Sequence, residues 1–404
     1  MQITRIETIV SSRYPNLFWL QLHTDSGLVG LGETQSGPET VAAYIHETVA
    51  PYLLGKDPRA IEAHYRALSA KTINRSMGAE TRGMSAVDIA LWDIFAQSVD
   101  LPLYMAMGGP VRPDIRIYNT CAGYGYNVYR GKHVGVSFDE SWGVGEHEGP
   151  YEDLKKWLNN DQAGQLAQEL LDQNITAMKI WPFDQFADET DGQHITPWEI
   201  EEGLKPFRQI RDAVGMNMEI AVEMHSRWNL QSAIRIVEAL EEIRPMWIED
   251  PITMDNPEAL AELARHTSVP VTASETLATR FSFRQLLEHG AARIVMLDPG
   301  WVGGLSESRK IAAMAEAYHR PVAPHDCTGP VVYTAGTHLC LATPNAMIQE
   351  GVRAYYEGWY KDVTTNLPIV ADGRVRPPEG PGLGMALSPE FLQREDVAIR
   401  TSTV

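Results

Sequence analysis

Residues 218–275 read MEIAVEMHSRWNLQSAIRIVEALEEIRPMWIEDPITMDNPEALAELARHTSVPVTASE. Three short apolar runs, "MEIAVEMH", "MWIEDP" and "PVTASE", are separated by amphipathic segments at 230–243 and 257–266. A strand that gives way to a helix and returns as a strand, twice over, is the rhythm of a parallel β/α protein. Each run also ends on a carboxylate: Glu223, Glu249 and Glu275, separated by 26 residues and then by 26 again. One β/α unit therefore carries each glutamate to the same height as the last.

The same rhythm extends both ways from this stretch. From residue 115 onward the runs "IRIYNT", "AMKIW", "MEIAVEMH", "MWIEDP", "PVTASE", "RIVMLDP", "RPVAPHD" and "AMIQE" make eight candidate strands. Eight strands alternating with helices predict a closed parallel barrel, whose active site lies at the carboxyl ends of the strands. Residues 1–35 instead alternate like an antiparallel meander with a turn at Asp25-Ser26-Gly27, and helical periods follow at 38–50, 58–70 and 83–99. This opening α+β part ends at "MGGPVRP". The boundaries expected are 1–113, 114–366 for the barrel and 367–404 for a tail too rich in Gly and Pro for a core strand or helix, returning to the opening part.

Composition narrows the functions. The chain has 404 residues, 44% of them apolar, enough for a large core. Its formal charge of −19, from 34 basic and 53 acidic residues, argues against nucleic acid and anionic membrane as partners. A small anionic substrate would need local cations to overrule that field. Cys121, Cys327 and Cys340 are too scattered for a disulfide framework, and neither a signal-like stretch nor an 18-residue apolar run occurs. These features predict a cytoplasmic protein with reduced thiols.

The strand ends carry polar groups that a barrel core would not hold: Lys179, Glu223 with His225, Glu249 with Asp250, Glu275, Asp298, His325 with Asp326, and Glu350. Three glutamates facing one point would repel each other and take up protons unless a cation intervened. An all-oxygen donor set suits Mg²⁺. Asp298 and His325 end adjacent strands, so the carboxylate can orient the ring and raise its basicity. His225 follows Glu223 by two residues, on the same side of an extended strand. Lys179 stands in an apolar run, "ITAMKIWPF", either as a snorkelling lysine or as a cation aimed at the site.

With "GLVGLGE", "SAVDIALWDI", "MGG", "VEMHSRWN", "WIEDP", "ASE", "LDPGWVGGLSES", "APHD" and "PGLG", the chain resembles the mandelate racemase group of the enolase superfamily, and most of all its sugar-acid dehydratases. The resemblance implies a modified (β/α)7β barrel of the TIM type, covered by an α+β capping domain that both chain ends build. It implies Glu223, Glu249 and Glu275 as Mg²⁺ ligands, Asp298 with His325 as the catalytic dyad, His225 as an acid and Glu350 as the residue that hydrogen-bonds the enolate. Racemases of the group resemble one another in a Lys-x-Lys pair, but here Lys179 is followed by Ile180 and Trp181. One of two opposed bases is gone, which favours elimination over racemisation.

The reaction expected is removal of the proton α to a carboxylate and loss of the β-hydroxyl, giving a 2-keto-3-deoxy sugar acid. A divalent charge facing the extra negative charge at about 4 Å, with an effective dielectric of about 20, is worth about 8 kcal/mol, or roughly six decades of rate. Epimerisation or cycloisomerisation with Lys179 and His325 as opposed bases is the alternative, and a non-catalytic member of the fold a remote one. The resemblance also implies a homo-oligomer and a substrate-covering loop near Arg13 to Trp19. Specificity is expected from Arg13, Trp19 and Trp181 and from the Gly- and aromatic-rich insertion 123–160. There Tyr124, Tyr126, Arg130, Lys132 and His133 are either substrate contacts or packing contacts, and Trp142, His147 and Trp157 are equally open.

Overall fold

The computed structural model describes residues 1–71, 78–126, 149–159 and 161–404. Strands β1 (Ile3–Ser11), β2 (Leu17–Thr24) and β3 (Val29–Gln35) form the meander, and β14 (Val397–Thr403) adds antiparallel to β1 to complete a four-stranded sheet. The helix Ala79–Ser98 lies directly on β3. Glycine makes that approach possible: a Cβ at Gly32 would stand 1.9 Å from the Ala86 carbonyl oxygen, and one at Gly30 2.1 Å from that of Ala90.

The barrel strands are β4 (Ile115–Thr120), β5 (Ala177–Ile180), β6 (Glu219–Glu223), β7 (Trp247–Glu249), β8 (Val271–Ala273), β9 (Ile294–Leu297), β10 (Val322–Pro324) and β11 (Gln349–Gly351). They pair in parallel from β4 round to β10, and β11 closes on β4 through Gln349 to Ile117 and Glu350 to Tyr118. Between β10 and β11 the seam is kept by Met347 N–H on the Val322 oxygen at 2.9 Å. Seven intervening helical connections make this a (β/α)7β barrel. The helix Pro197–Val214 begins with the capping box readable in the sequence: Thr196 Oγ1 accepts from Glu199 N–H at 3.2 Å, and Glu199 Oε2 from Thr196 N–H at 2.6 Å.

Three buried acids, Asp88 and Asp93 of "SAVDIALWDI" and Glu33 of β3, tie the cap to the barrel and to the tail. Asp88 accepts from Ser306 N–H (2.8 Å) and Oγ–H (2.6 Å) at the start of the barrel helix Gly304–Ala317. Asp93 accepts from Leu31 N–H in β3 and from Leu383 N–H in the tail. Glu33, wholly buried on β3, takes the N–H groups of Val331 and Val332 at 2.8 and 2.7 Å, at the positive end of the barrel helix Pro330–Ala342.

The tail, expected to return to the opening part and to supply no core strand or helix, does place β14 there, but an earlier and largely exposed stretch of it joins the barrel. It holds a hairpin, β12 (Ile369–Ala371) and β13 (Arg374–Arg376), which pairs antiparallel with β4. The two-residue turn is Asp372-Gly373 with both φ angles positive, 51° and 66°, a turn whose twist matches that of the strands. The three cysteines are buried and free, and among the described residues no helix is long and apolar enough to cross a membrane.

Candidate active site

At the carboxyl end of the barrel, β6 and β7 run in register so that Glu223 lies beside Glu249, and Glu275 follows two residues after β8. One carboxylate oxygen from each of the three lies within 4.8 Å of the others. Lys179, 2% exposed, donates to Glu249 Oε1 at 2.7 Å and to Glu223 Oε2 at 3.3 Å and stands 2.9 Å from Glu350 Oε1. Glu350 in turn takes Thr120 Oγ–H and the Asp326 N–H. The snorkelling reading of Lys179 is thereby excluded: its head is as buried as its stem.

His325 Nδ1 lies 2.7 Å from Asp298 Oδ2, and its Nε2 lies 3.2 Å from Glu275 Oε2. Asp298 is itself fixed by Gly300 N–H at 2.6 Å and Thr328 Oγ–H at 2.9 Å. A second carboxylate–imidazole pair faces it. His225 Nδ1 lies 2.6 Å from Asp184 Oδ2 and its Nε2 lies 3.2 Å from the Tyr126 hydroxyl, while the ring meets Trp181 edge-on at 5.7 Å. β6 ends at Glu223, so the strand-period argument does not reach His225; a left-handed turn at His225 and Ser226 (φ 44° and 57°) aims the ring instead. β6 and β10, just past which the two histidines follow, are four strands apart in an eight-stranded barrel and so stand across its mouth from each other.

The carboxylates and cations of the site shift one another's protonation. Burial and the neighbouring Glu223 push the Glu249 carboxyl well above the carboxylate range. Burial opposes the charge on Lys179, yet Glu249, Glu350 and Glu223 outweigh it and keep the ammonium protonated. Burial likewise opposes the His325 imidazolium, but Glu275, Glu350 and Asp298 raise its pKa well above the ordinary value. His225 is raised to about 9 against burial, by Glu223 and Asp184. A cation beside the three glutamates would relieve their repulsion and free His325 of its proton, and the all-oxygen donor set fits a hard divalent ion.

The sequence-predicted substrate contacts divide. Tyr126 and Trp181 are brought to His225, with Trp181 packed on Trp157 at 5.0 Å. Trp157 itself is a packing residue, buried with its indole N–H on the Cys121 oxygen at 2.8 Å. Tyr124 is half-buried beside Gly358. Arg13 is exposed over the Tyr14 ring at 5.7 Å. Trp19 is wholly buried in the cap, edge-on to Phe391, and donates its indole N–H to Glu33 Oε1 at 2.6 Å. Arg130, Lys132, His133, Trp142 and His147 lie outside the described residues. Sequence reasoning missed Asp184, whose only signal is its place five residues beyond Lys179, in a turn without period.

Two family signatures match the chain: "Mandelate racemase / muconate lactonizing enzyme, N-terminal domain" over residues 6–108, and "Enolase C-terminal domain-like" over residues 162–391. Among curated proteins, the chain is 29% identical over 395 residues to a D-galactonate dehydratase of Ralstonia pickettii, spanning 95% of this chain and 92% of that protein. It is 28% identical over 407 residues to a D-xylonate dehydratase of Haloferax volcanii, spanning 97% and 88%. Among solved structures, an enolase of the mandelate racemase subgroup from Agrobacterium tumefaciens is 45% identical and superposes with a TM-score of 0.87 over 100% of this chain and 99% of that one.

Proposed function

Since the chain belongs to the mandelate racemase and muconate lactonizing enzyme family of the enolase superfamily, we propose that it is a Mg²⁺-dependent sugar-acid dehydratase, a hydro-lyase. The observation that carries the reading is the pair of carboxylate-held histidines across the barrel mouth, with three glutamates and a charged lysine between them. Bound by Glu223, Glu249 and Glu275, a divalent ion supplies positive charge for a substrate carboxylate and for the second negative charge of its enolate.

Lys179 adds a fixed ammonium for the same carboxylate. His325, oriented by Asp298, takes the proton from the α-carbon. His225, oriented by Asp184, gives a proton to the β-hydroxyl, the C–O bond breaks, and water leaves. The enol that remains gives up its O–H proton, takes one at the β-carbon and becomes the 2-keto-3-deoxy acid. Because base and acid reach the substrate from opposite sides, the elimination is anti. Lys179, held charged by three carboxylates, is no second base, which supports elimination over epimerisation.

A panel of aldonic and aldaric acids incubated with Mg²⁺, with semicarbazide detection of 2-keto acids, tests the reaction. Replacing His325 by Asn should lower turnover by roughly 100- to 10,000-fold. Solvent deuterium exchange at the α-carbon should fall with it, and undiminished exchange would remove His325 as the base.

A further inference from the structure

Arg82 comes from the first turn of the cap helix Ala79–Ser98 and reaches the barrel mouth. Its guanidinium carbon lies 4.2 Å over the ring of Trp301, and that ring leans on His325 with centroids 5.1 Å apart. One guanidinium N–H goes to the Gln35 carbonyl oxygen at 2.9 Å. Among the described residues no carboxylate comes within 4.0 Å of Arg82, and the buried Trp301 Nε1–H has no acceptor. Burial lowers the Arg82 pKa to about 10, with Asp298 and Glu275 acting in the other direction, so the group remains charged at neutral pH.

The seam that holds these two side chains is rigid. Thr34 Oγ–H donates to the Gly300 oxygen at 2.7 Å, Gly303 N–H to Ser85 Oγ at 2.9 Å, and Gly300 N–H to Asp298. A desolvated guanidinium with no carboxylate in direct contact among the described residues is costly, and the ligand that repays it best is a carboxylate gripped by two parallel N–H bonds. The barrel order says which end of the substrate that is. Trp301 follows β9, which stands four strands from β5 and so across the mouth from Lys179. A chain whose first carboxylate sits at Lys179 would extend its far end toward Arg82.

We propose that Arg82 and Trp301 bind a second carboxylate at the far end of the substrate, so that diacids of the aldarate class are preferred to the matching monoacids. This rests on the dehydratase reading and narrows it, since galactonate and xylonate, in the relatives' names, are monoacids.

The test compares aldonate and aldarate pairs of the same configuration on the wild type, Arg82→Gln and Arg82→Lys, with Mg²⁺ and semicarbazide detection. The wild type should favour the diacid in kcat/KM by about 10- to 100-fold. Arg82→Gln should remove that preference chiefly through KM, and Arg82→Lys should restore part of it. A wild type that favours the monoacid, or an unaltered preference in Arg82→Gln, overturns the proposal. A binding arm keeps the two readings apart: calorimetry of adipate against adipic monoamide on the same proteins. If neither sugar acid is dehydrated, the dehydratase reading falls. The Arg82 site then stands if adipate binds more tightly than the monoamide to the wild type alone, and falls if the two bind equally. Should Arg82→Gln not fold, the same ratios on Arg82→Lys decide.

Discussion

Lys179 shows how much one side chain can depend on three others. Its ammonium is buried at a cost that Glu223, Glu249 and Glu350 chiefly offset, so removing it would leave three carboxylates without their cation. The sequence made Lys179, the glutamates and His325 readable because each lies at or just past the carboxyl end of a strand of regular spacing. Asp184 was not readable, because it lies in a 3₁₀ turn where nothing in the pattern says which way a side chain points. Its contact with His225 separates two steps that would otherwise fail together. Asp184→Asn should leave α-proton exchange largely in place, since His325 and Asp298 are untouched, while formation of the 2-keto acid falls by roughly 100-fold. Deuterium in recovered substrate, measured beside product, checks this; equal losses in both would mean that Asp184 supports the whole site rather than His225.

Among the elements, the eight strands and most of the helices follow from the pattern, and the exceptions have physical causes. The helix Pro330–Ala342, "PVVYTAGTHLCLA", is buried along almost its whole length between barrel and cap, so no polar face marks its period. The hairpin of β12 and β13 did carry a signal, Asp-Gly between apolar alternations, but the surrounding glycines and prolines masked it. His338 on that buried helix offers a test of the packing. Its Nδ1 accepts the Tyr104 N–H at 3.2 Å, its Nε2 meets the Leu383 oxygen at 3.3 Å, and burial lowers its pKa to about 4 from 6.5. As pH falls, the unfolded chain takes that proton first. The stability from the neutral ring is therefore complete above about 6.5 and disappears between 6.5 and 4, a loss of about 3 kcal/mol. In thermal melts across this window, His338→Gln should show a shallower acid limb than the wild type. Parallel limbs would mean that His338 is already charged in the folded protein.

At the scale of the whole molecule, a change of rhythm near residue 113 separated cap from barrel in the sequence, but the contacts that join them could not be read there. Asp88, Asp93 and Glu33 are ordinary acids until the fold brings helix N-termini and tail amides against them. The barrel itself encloses like charges that a cation would reconcile. Magnesium at 100 times its Kd should therefore stabilise the protein by about 2.7 kcal/mol, raising its melting midpoint by a few degrees, and chelator should reverse the shift. Identical midpoints in Mg²⁺ and in chelator would leave the glutamates without the role given them. The four-stranded sheet has a consequence for biosynthesis. Because β14 pairs with β1, the ribosome makes the first strand before the entire barrel and its partner after it. The nascent chain must carry β1 with an open edge throughout that interval, so a slow or stalled ribosome exposes the edge to other chains, and prolonged translation would aggravate aggregation.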